Sequence, residues 1–292
     1  MILYILWQIF SPACQRLPPK ITYAFGQRLG QIAFRAWPQL RRNVRFNAQY
    51  LLGFQADARK VERLAQRMVE SYGYYIVDFL RLPALRRNGW EKQVDFQGGA
   101  EVDAAVKDGK GAILVGLHLG SWDLGAAALA WKKYPVHVIV EDQPSPFLNR
   151  LVNNFRKESG VNVISSKNVR AMVRALKKGG VLCLLIDRPC TKGGEKVDFL
   201  GYPAVVPAGA ATLAMLTGAK VMPGAVVRQP DGRFMFHLGP NIPYHVNGRT
   251  PEQAQQLTQR IMAHLEWMAR QHAEQWCIYH PFWLSNCQPQ GV

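Results

Sequence analysis

A chain of 292 residues can bury one large core, and its 48% hydrophobic and 19% charged content is that of an ordinary globular protein. The charge balance is unusual: 36 Lys and Arg against 20 Asp and Glu give a net charge of +16, which points to an anionic surface or substrate. Cysteines at 14, 183, 190, 277 and 287 form no CxxC pair, which argues for idle thiols in a reducing compartment over a disulfide framework or zinc site.

Residues 1–56 contain no acid and seven basic residues: Arg16, Lys20, Arg28, Arg35, Arg41, Arg42 and Arg45. Residues 1–10 are apolar, but Pro12 ends that run far short of the ~20 residues a membrane span needs. No positive n-region precedes it and no clear cleavage site follows, which argues against a signal peptide. Residues 21–37 set Ile21, Phe25, Leu29, Ile32 and Phe34 among Gln and Arg. That pattern predicts a basic amphipathic helix lying on an anionic membrane. A helix packed on the domain with a solvated basic face, or a transit peptide, are the alternatives. The organisation expected is a membrane-associating segment over 1–40 and one domain over 41–292.

Further along, residues 57–82 carry an apolar stripe including Val61, Leu64, Met68, Tyr75 and Phe79, predicting a long helix capped by Asp57 and ended by Pro83. A strand over 94–97 and a short helix over 101–107 lead to the central stretch, 111–131. There, 112–117 is the continuous apolar run of a strand buried on both faces. His118 follows it, then a turn in which Gly120 is free to take a positive φ and Ser121 is placed to cap a helix over 124–131. Asp123 falls in the first turn of that helix, where a negative charge is favoured. Strands at 136–140, 161–164 and 181–186 alternate with helices at 145–159 and 168–178. An extended piece at 197–200 and a helix at 207–217 follow, then strands near 221–227 and 233–238. Thr250 and Gln253 form a capping box for a last helix running to about 276. Strands alternating with helices predict an α/β fold with a mainly parallel central sheet. Ligands of such sheets bind at the carboxyl ends of the strands.

His118 and Asp123 give a His-x4-Asp pattern, weak alone, and His137 with Asp142 repeats it. The two differ in context: a strand separates His137 from Asp142, whereas a turn folds Asp123 back toward His118. His137 is therefore read as structural. A neutral imidazole beside a carboxylate can deprotonate an alcohol, the carboxylate fixing the tautomer and stabilising the imidazolium. No GxSxG elbow offers a protein nucleophile, so the hydroxyl belongs to a substrate. Glu141, Asp142, Asp187 and Arg188 lie at neighbouring strand ends and add to the same edge. Arg188, Lys192 and Lys196 form a basic loop that could hold a phosphate. A nucleic-acid-binding protein and a catalytically inactive membrane-surface protein are the rival readings, but no zinc, RNP or helix-turn-helix signature is visible. Neither GxGxxG nor a Walker A sequence occurs.

HLGSWD at 118–123 resembles the HxxxxD/E motif of glycerolipid and glycolipid acyltransferases. The fuller set resembles the lipid A biosynthesis (late) acyltransferase family, which includes phosphatidylinositol mannoside acyltransferases. The matching pieces are RRNV at 41–44, GLHLGSWD at 116–123, the segment with Arg156 before Gly160, LLIDRP at 184–189 and VDFLGYPAVVPAGAATLAMLTGA at 197–219. The resemblance implies a glycerol-3-phosphate acyltransferase-like fold at the cytoplasmic face of the inner membrane. It implies transfer of a fatty acyl chain from a thioester, on acyl carrier protein or coenzyme A, to a hydroxyl of a membrane glycolipid such as a lipid A precursor or phosphatidylinositol mannoside. Its site would have His118 as base and Asp123 as its orienter, with Glu141, Arg156, Asp187 and Arg188 shaping the substrate pocket. No metal or redox cofactor and no nucleic acid are expected. Backbone N–H groups near Gly120 and Ser121, or Arg188, are the expected oxyanion donors.

Overall fold

The computed structural model describes residues 10–141, 145–188, 194–245 and 250–284. Asp142, Lys192, Cys190, Cys287 and the apolar run before Phe10 lie outside the described residues. Among the described residues, Cys14, Cys183 and Cys277 are free thiols.

Strands β1 (Val94–Gln97), β2 (Ala112–Gly116), β3 (Val136–Val140), β4 (Asn162–Ser165), β5 (Val181–Leu185), β8 (Lys220–Arg228) and β9 (Phe234–Leu238) make one sheet, in the order β1-β9-β8-β2-β5-β3-β4. Every neighbouring pair is parallel except β8 and β9. This is the mainly parallel α/β sheet expected from the alternation. All five residues of β2 are buried, as a central strand covered on both faces requires. Its side chains divide by period two. Ile113 and Val115 enter one core with α2 (Pro38–Leu52), α7 (Val169–Lys177), α8 (Gly209–Thr217) and α9 (Pro251–Gln271). Ala112 and Leu114 enter the other, with α4 (Ala100–Lys107), α5 (Trp122–Trp131) and Phe155 of α6 (Pro146–Glu158). The capping box of Thr250 and Gln253 starts α9.

Three local readings are corrected. Helix α3 runs Ala58–Arg87 with Pro83 inside it. An interior proline costs about 3 kcal/mol, but Leu82 and Ala84 beside it are buried, and that packing favours continuing the helix. Residues 38–52 form a helix, α2, that went unassigned. Residues 202–207 are strand β7, paired antiparallel to β6 (Gly194–Phe199), and the following helix starts at Gly209. The hairpin turns through Leu200 (φ 62°) and Gly201 (φ 85°). Two successive left-handed residues fit the right-handed twist of the strands, but leucine in the first of them hid the signal.

Helix α1 (Pro19–Ala36) packs along α3 through paired glycines. A Cβ on Gly73 would lie 2.1 Å from the carbonyl oxygen of Gly26. Its inward face is Thr22, Gly26, Gly30 and Phe34, so Phe34 belongs to the core and not to the outer stripe. Ile21, Phe25, Leu29 and Ile32 face outward, Ile32 with 59% of its surface exposed. Among the described residues, no helix is long and apolar enough to cross a membrane.

Candidate active site

The register of β2 and β5 builds the site. Gly116 lies opposite Leu185, so His118 and Asp187, each two residues further on, leave the sheet side by side. His118 Nδ1 is 2.6 Å from Asp187 Oδ1. Asp187 Oδ2 accepts the His118 backbone N–H and the Trp276 indole N–H, both at 2.7 Å. Asp187 is 1% exposed. Burial alone would raise its pKa, but the His118 ring and these N–H donors outweigh it and hold the carboxyl below the usual value. With Nδ1 donating to the carboxylate, Nε2 is the ring nitrogen that can accept a proton.

Among the described residues, Asp123 makes no hydrogen bond to His118. Its carboxylate is taken by Arg156, through Nε at 2.7 Å and Nη2 at 3.2 Å, and by the Tyr75 hydroxyl at 2.6 Å. Burial pushes its pKa up, and the Arg156 charge and hydrogen bonds more than reverse that. Tyr75, fully enclosed beside the Asp123 charge, is held well above the normal phenol value. Asp123 therefore anchors the first turn of α5 to α3 and α6. The sequence distance of five residues suggested contact with His118; the helical direction at the end of the turn sends the side chain elsewhere.

The turn itself is rigid. Gly120 has φ 68°, and a Cβ there would stand 1.9 Å from the Val226 carbonyl oxygen. Its N–H donates to the Gln275 carbonyl (2.9 Å), and the Ser121 N–H donates to Val226 (2.7 Å). Both amides are spent, so neither is free to hold an oxyanion as expected. Ser121 occupies the N-cap position without capping α5; its hydroxyl donates to Asp78 instead. Asp78, 2% exposed in mid-helix, also accepts from Tyr23 (2.7 Å) and Arg228.

Arg188 pairs with Glu141 at 3.0 Å, both exposed at the mouth of a crevice. The crevice has a volume of about 610 Å³ and is lined by His118, Asp123, Glu141, Arg156 and Arg188, with mostly apolar residues beneath. All five described pocket residues read from the sequence thus meet there, with Asp187 behind His118. His137 sits inside β3, opposite Leu182 of β5. Asp187 comes five strand positions beyond Leu182, about 17 Å away at strand rise. Burial lowers the pKa of His137.

Trp276 and Asp78 were missed; Tyr75, read as part of the apolar stripe of α3, is buried as expected, and only its hydrogen bond to Asp123 was not foreseen. Asp78 left one signal, an acid on the flank of the apolar stripe between Tyr75 and Phe79; Trp276 left none, since it arrives from the tail beyond α9. That tail is held by Asn43 and Asn47 of α2, which donate to the carbonyls of Tyr279 (2.9 Å) and His280 (2.7 Å).

An α/β sheet with a histidine–carboxylate pair at its carboxyl edge, opening on an oily crevice, has the parts of an acid–base catalyst acting on a lipid-like substrate. Residues 2–285 match the model of the bacterial lipid A biosynthesis acyltransferases. The chain belongs to that family and is an acyltransferase. Over 75% of its length it is 28% identical to a phosphatidylinositol mannoside acyltransferase of Mycobacterium tuberculosis, covering 69% of that protein. The corresponding enzyme of Mycolicibacterium smegmatis is 26% identical, with 85% of this chain and 80% of the relative covered. The lipid A biosynthesis lauroyltransferase of Escherichia coli is 24% identical, with 78% and 73% covered.

Proposed function

We propose that this chain moves a fatty acyl group from an acyl thioester, on acyl carrier protein or coenzyme A, to a hydroxyl of a membrane glycolipid of the lipid A precursor or phosphatidylinositol mannoside type. The observation that carries this reading is the His118 Nδ1–Asp187 Oδ1 contact of 2.6 Å at the rim of the apolar crevice. Nε2 of His118 takes the hydroxyl proton as the oxygen attacks the thioester carbonyl. The C–O bond forms, the tetrahedral oxyanion collapses, and the C–S bond breaks. The imidazolium returns the proton to the departing thiolate. Asp187 stabilises the imidazolium. Arg188, at the crevice mouth, supplies positive charge to the oxyanion in place of the engaged turn amides. Asp123, Arg156 and Tyr75 hold α5 and with it the crevice wall.

The chain works at the cytoplasmic face of an anionic inner membrane. Two features support this: the outward stripe of Ile21, Phe25, Leu29 and Ile32 on α1, and the seven basic, acid-free residues of the first 56. Incubating the purified protein with radiolabelled acyl thioesters and bacterial membrane lipids, then identifying the labelled lipid, tests the reaction. Absence of any labelled lipid with both carriers would refute it.

A further inference from the structure

A fatty acyl donor would need an apolar slot beside His118, and the strand register shows one. His118, Gly116 and Leu114 alternate onto the same face of β2, and Asp187, Leu185 and Cys183 do so on β5. Leu114, Cys183 and Val138 lie in one register row across β2, β5 and β3. All three belong to or pack on the core under α5 and also line the crevice. The row above is Gly116 and Leu185, and the row above that is the catalytic pair. Beneath, the row Ala112, Val181 and Val136 is 0% exposed and is not part of the crevice lining. The crevice on this face therefore ends at the middle row, four strand residues or about 13 Å below His118. Leu114 and Val138 are 6% and 9% exposed, whereas Cys183 has the smallest side chain of the row and is only partly buried. Burial raises its thiol to about 12, so it stays uncharged and acts as a small apolar group. Leu184, the next residue of β5, packs on the opposite core and lines the limb of the crevice toward α7 and α8.

We infer that the limb beneath α5 holds the acyl chain of the thioester and that Cys183 at its floor determines which chain length fits. This rests on the acyl-transfer reading, with His118 at the carbonyl end and the methyl end against Cys183. A larger side chain there shortens the slot and selects shorter chains; a smaller one admits longer ones. Pockets discriminate a single methylene by roughly 10-fold or more, so the shift is measurable.

The test gives the full-length protein an equimolar mixture of saturated acyl-coenzyme A and acyl carrier protein thioesters, octanoyl to stearoyl, with bacterial membrane lipids as acceptor. Product chain lengths are read by mass spectrometry. Cys183→Phe and the milder Cys183→Met should both move the product distribution to shorter chains, the ratio of shorter to wild-type-preferred chain rising about 10-fold or more for the former. Cys183→Gly should move it to longer chains, and Leu184→Phe should leave the ratio as in wild type. Cys183→Met and Cys183→Gly products of unchanged length would overturn the assignment even if Cys183→Phe did not fold. A shift in Leu184→Phe alone would place the chain in the other limb and overturn it equally. Wild-type protein that transfers no chain from either carrier would instead refute the acyl-transfer reading, and the inference with it.

Discussion

Replacing Asp187 by Asn tests the proposed base most sharply, because the surroundings dictate how the amide must sit. Oδ2 of Asp187 receives two N–H donors, from the His118 backbone and Trp276, each at 2.7 Å. An asparagine must turn its oxygen to them, since turning its NH2 there would set donor against donor twice in a buried site. The NH2 then faces His118 Nδ1 at the position of Oδ1, 2.6 Å away in the native protein. It donates to Nδ1, which fixes the proton of the neutral ring on Nε2 and removes the atom that would accept the substrate proton. General base catalysis contributes about 10²–10⁴ in rate, equivalent to about 2.7–5.4 kcal/mol of barrier. Asp187→Asn should therefore lose about that factor in kcat with KM little changed, in a single-turnover assay with radiolabelled acyl thioester. The tautomer is checked independently by the ¹⁵N chemical shifts of the imidazole. An Asp187→Asn protein with wild-type kcat would refute the assignment, as would a variant that kept the proton on Nδ1.

His118→Ala should lose about 10²–10⁴ in kcat, while His137→Ala, inside β3, should stay near wild type; equal losses would sink the role given to His118. Asp123→Asn should act on stability more than on chemistry, lowering unfolding free energy by ~3 kcal/mol because Arg156 keeps a buried charge without its partner, as denaturant titration will show. Asp123 and Asp187 both have folded pKa values below the unfolded ones, so their stabilisation is complete above about pH 4 and is lost as pH falls through the lower folded values. Either Asn variant should flatten the acid limb of stability against pH measured by circular dichroism; an unchanged limb in both would contradict this. Ile21→Glu with Phe25→Glu, on the exposed face of α1, should cut sedimentation with phosphatidylglycerol vesicles several-fold without changing the far-ultraviolet spectrum. Retained binding would remove α1 from the membrane contact.

The sheet and the position of His118 were legible because they depend on short-range pattern. A six-residue apolar run must be covered on both faces, and a histidine just past its end must emerge at the carboxyl edge. The partner of that histidine was not legible. Asp187 was visible as an acid at the end of another strand, but its contact with His118 needs the register of β2 against β5, set across 69 residues. Register follows from how buried faces interlock, and no local spacing encodes it. Asp123 was favoured by nearness in sequence, the one measure of distance that a sequence offers. Tyr75 and Trp276 come from α3 and from the tail after α9, segments joined to the site only by tertiary packing. Pro83 and the Leu200 turn were misread for a related reason: a local preference of a few kcal/mol yields when neighbouring side chains are buried.

The two site carboxylates differ in what neutralises them, and that difference separates the roles proposed for them. Asp123 faces a guanidinium at 2.7 Å, a group that stays protonated at any working pH. Its charge is already compensated, and an imidazolium forming nearby gains little from it. Asp187 is satisfied by an indole N–H, a backbone N–H and the imidazole itself, none of them a permanent cation. Its negative charge is therefore left to stabilise an imidazolium at His118, in a buried place where charges interact more strongly than in water. Moving a permanent cation beside Asp187 should accordingly weaken the base even with every hydrogen bond intact. Trp276→Arg is the direct case: the indole N–H is replaced by a guanidinium N–H, and kcat should fall although Asp187 stays ionised and His118 keeps its orientation. A Trp276→Arg protein that folds, holds the Nδ1 proton by ¹⁵N shift and retains full kcat would show that the uncompensated charge of Asp187 is not what drives proton uptake at Nε2.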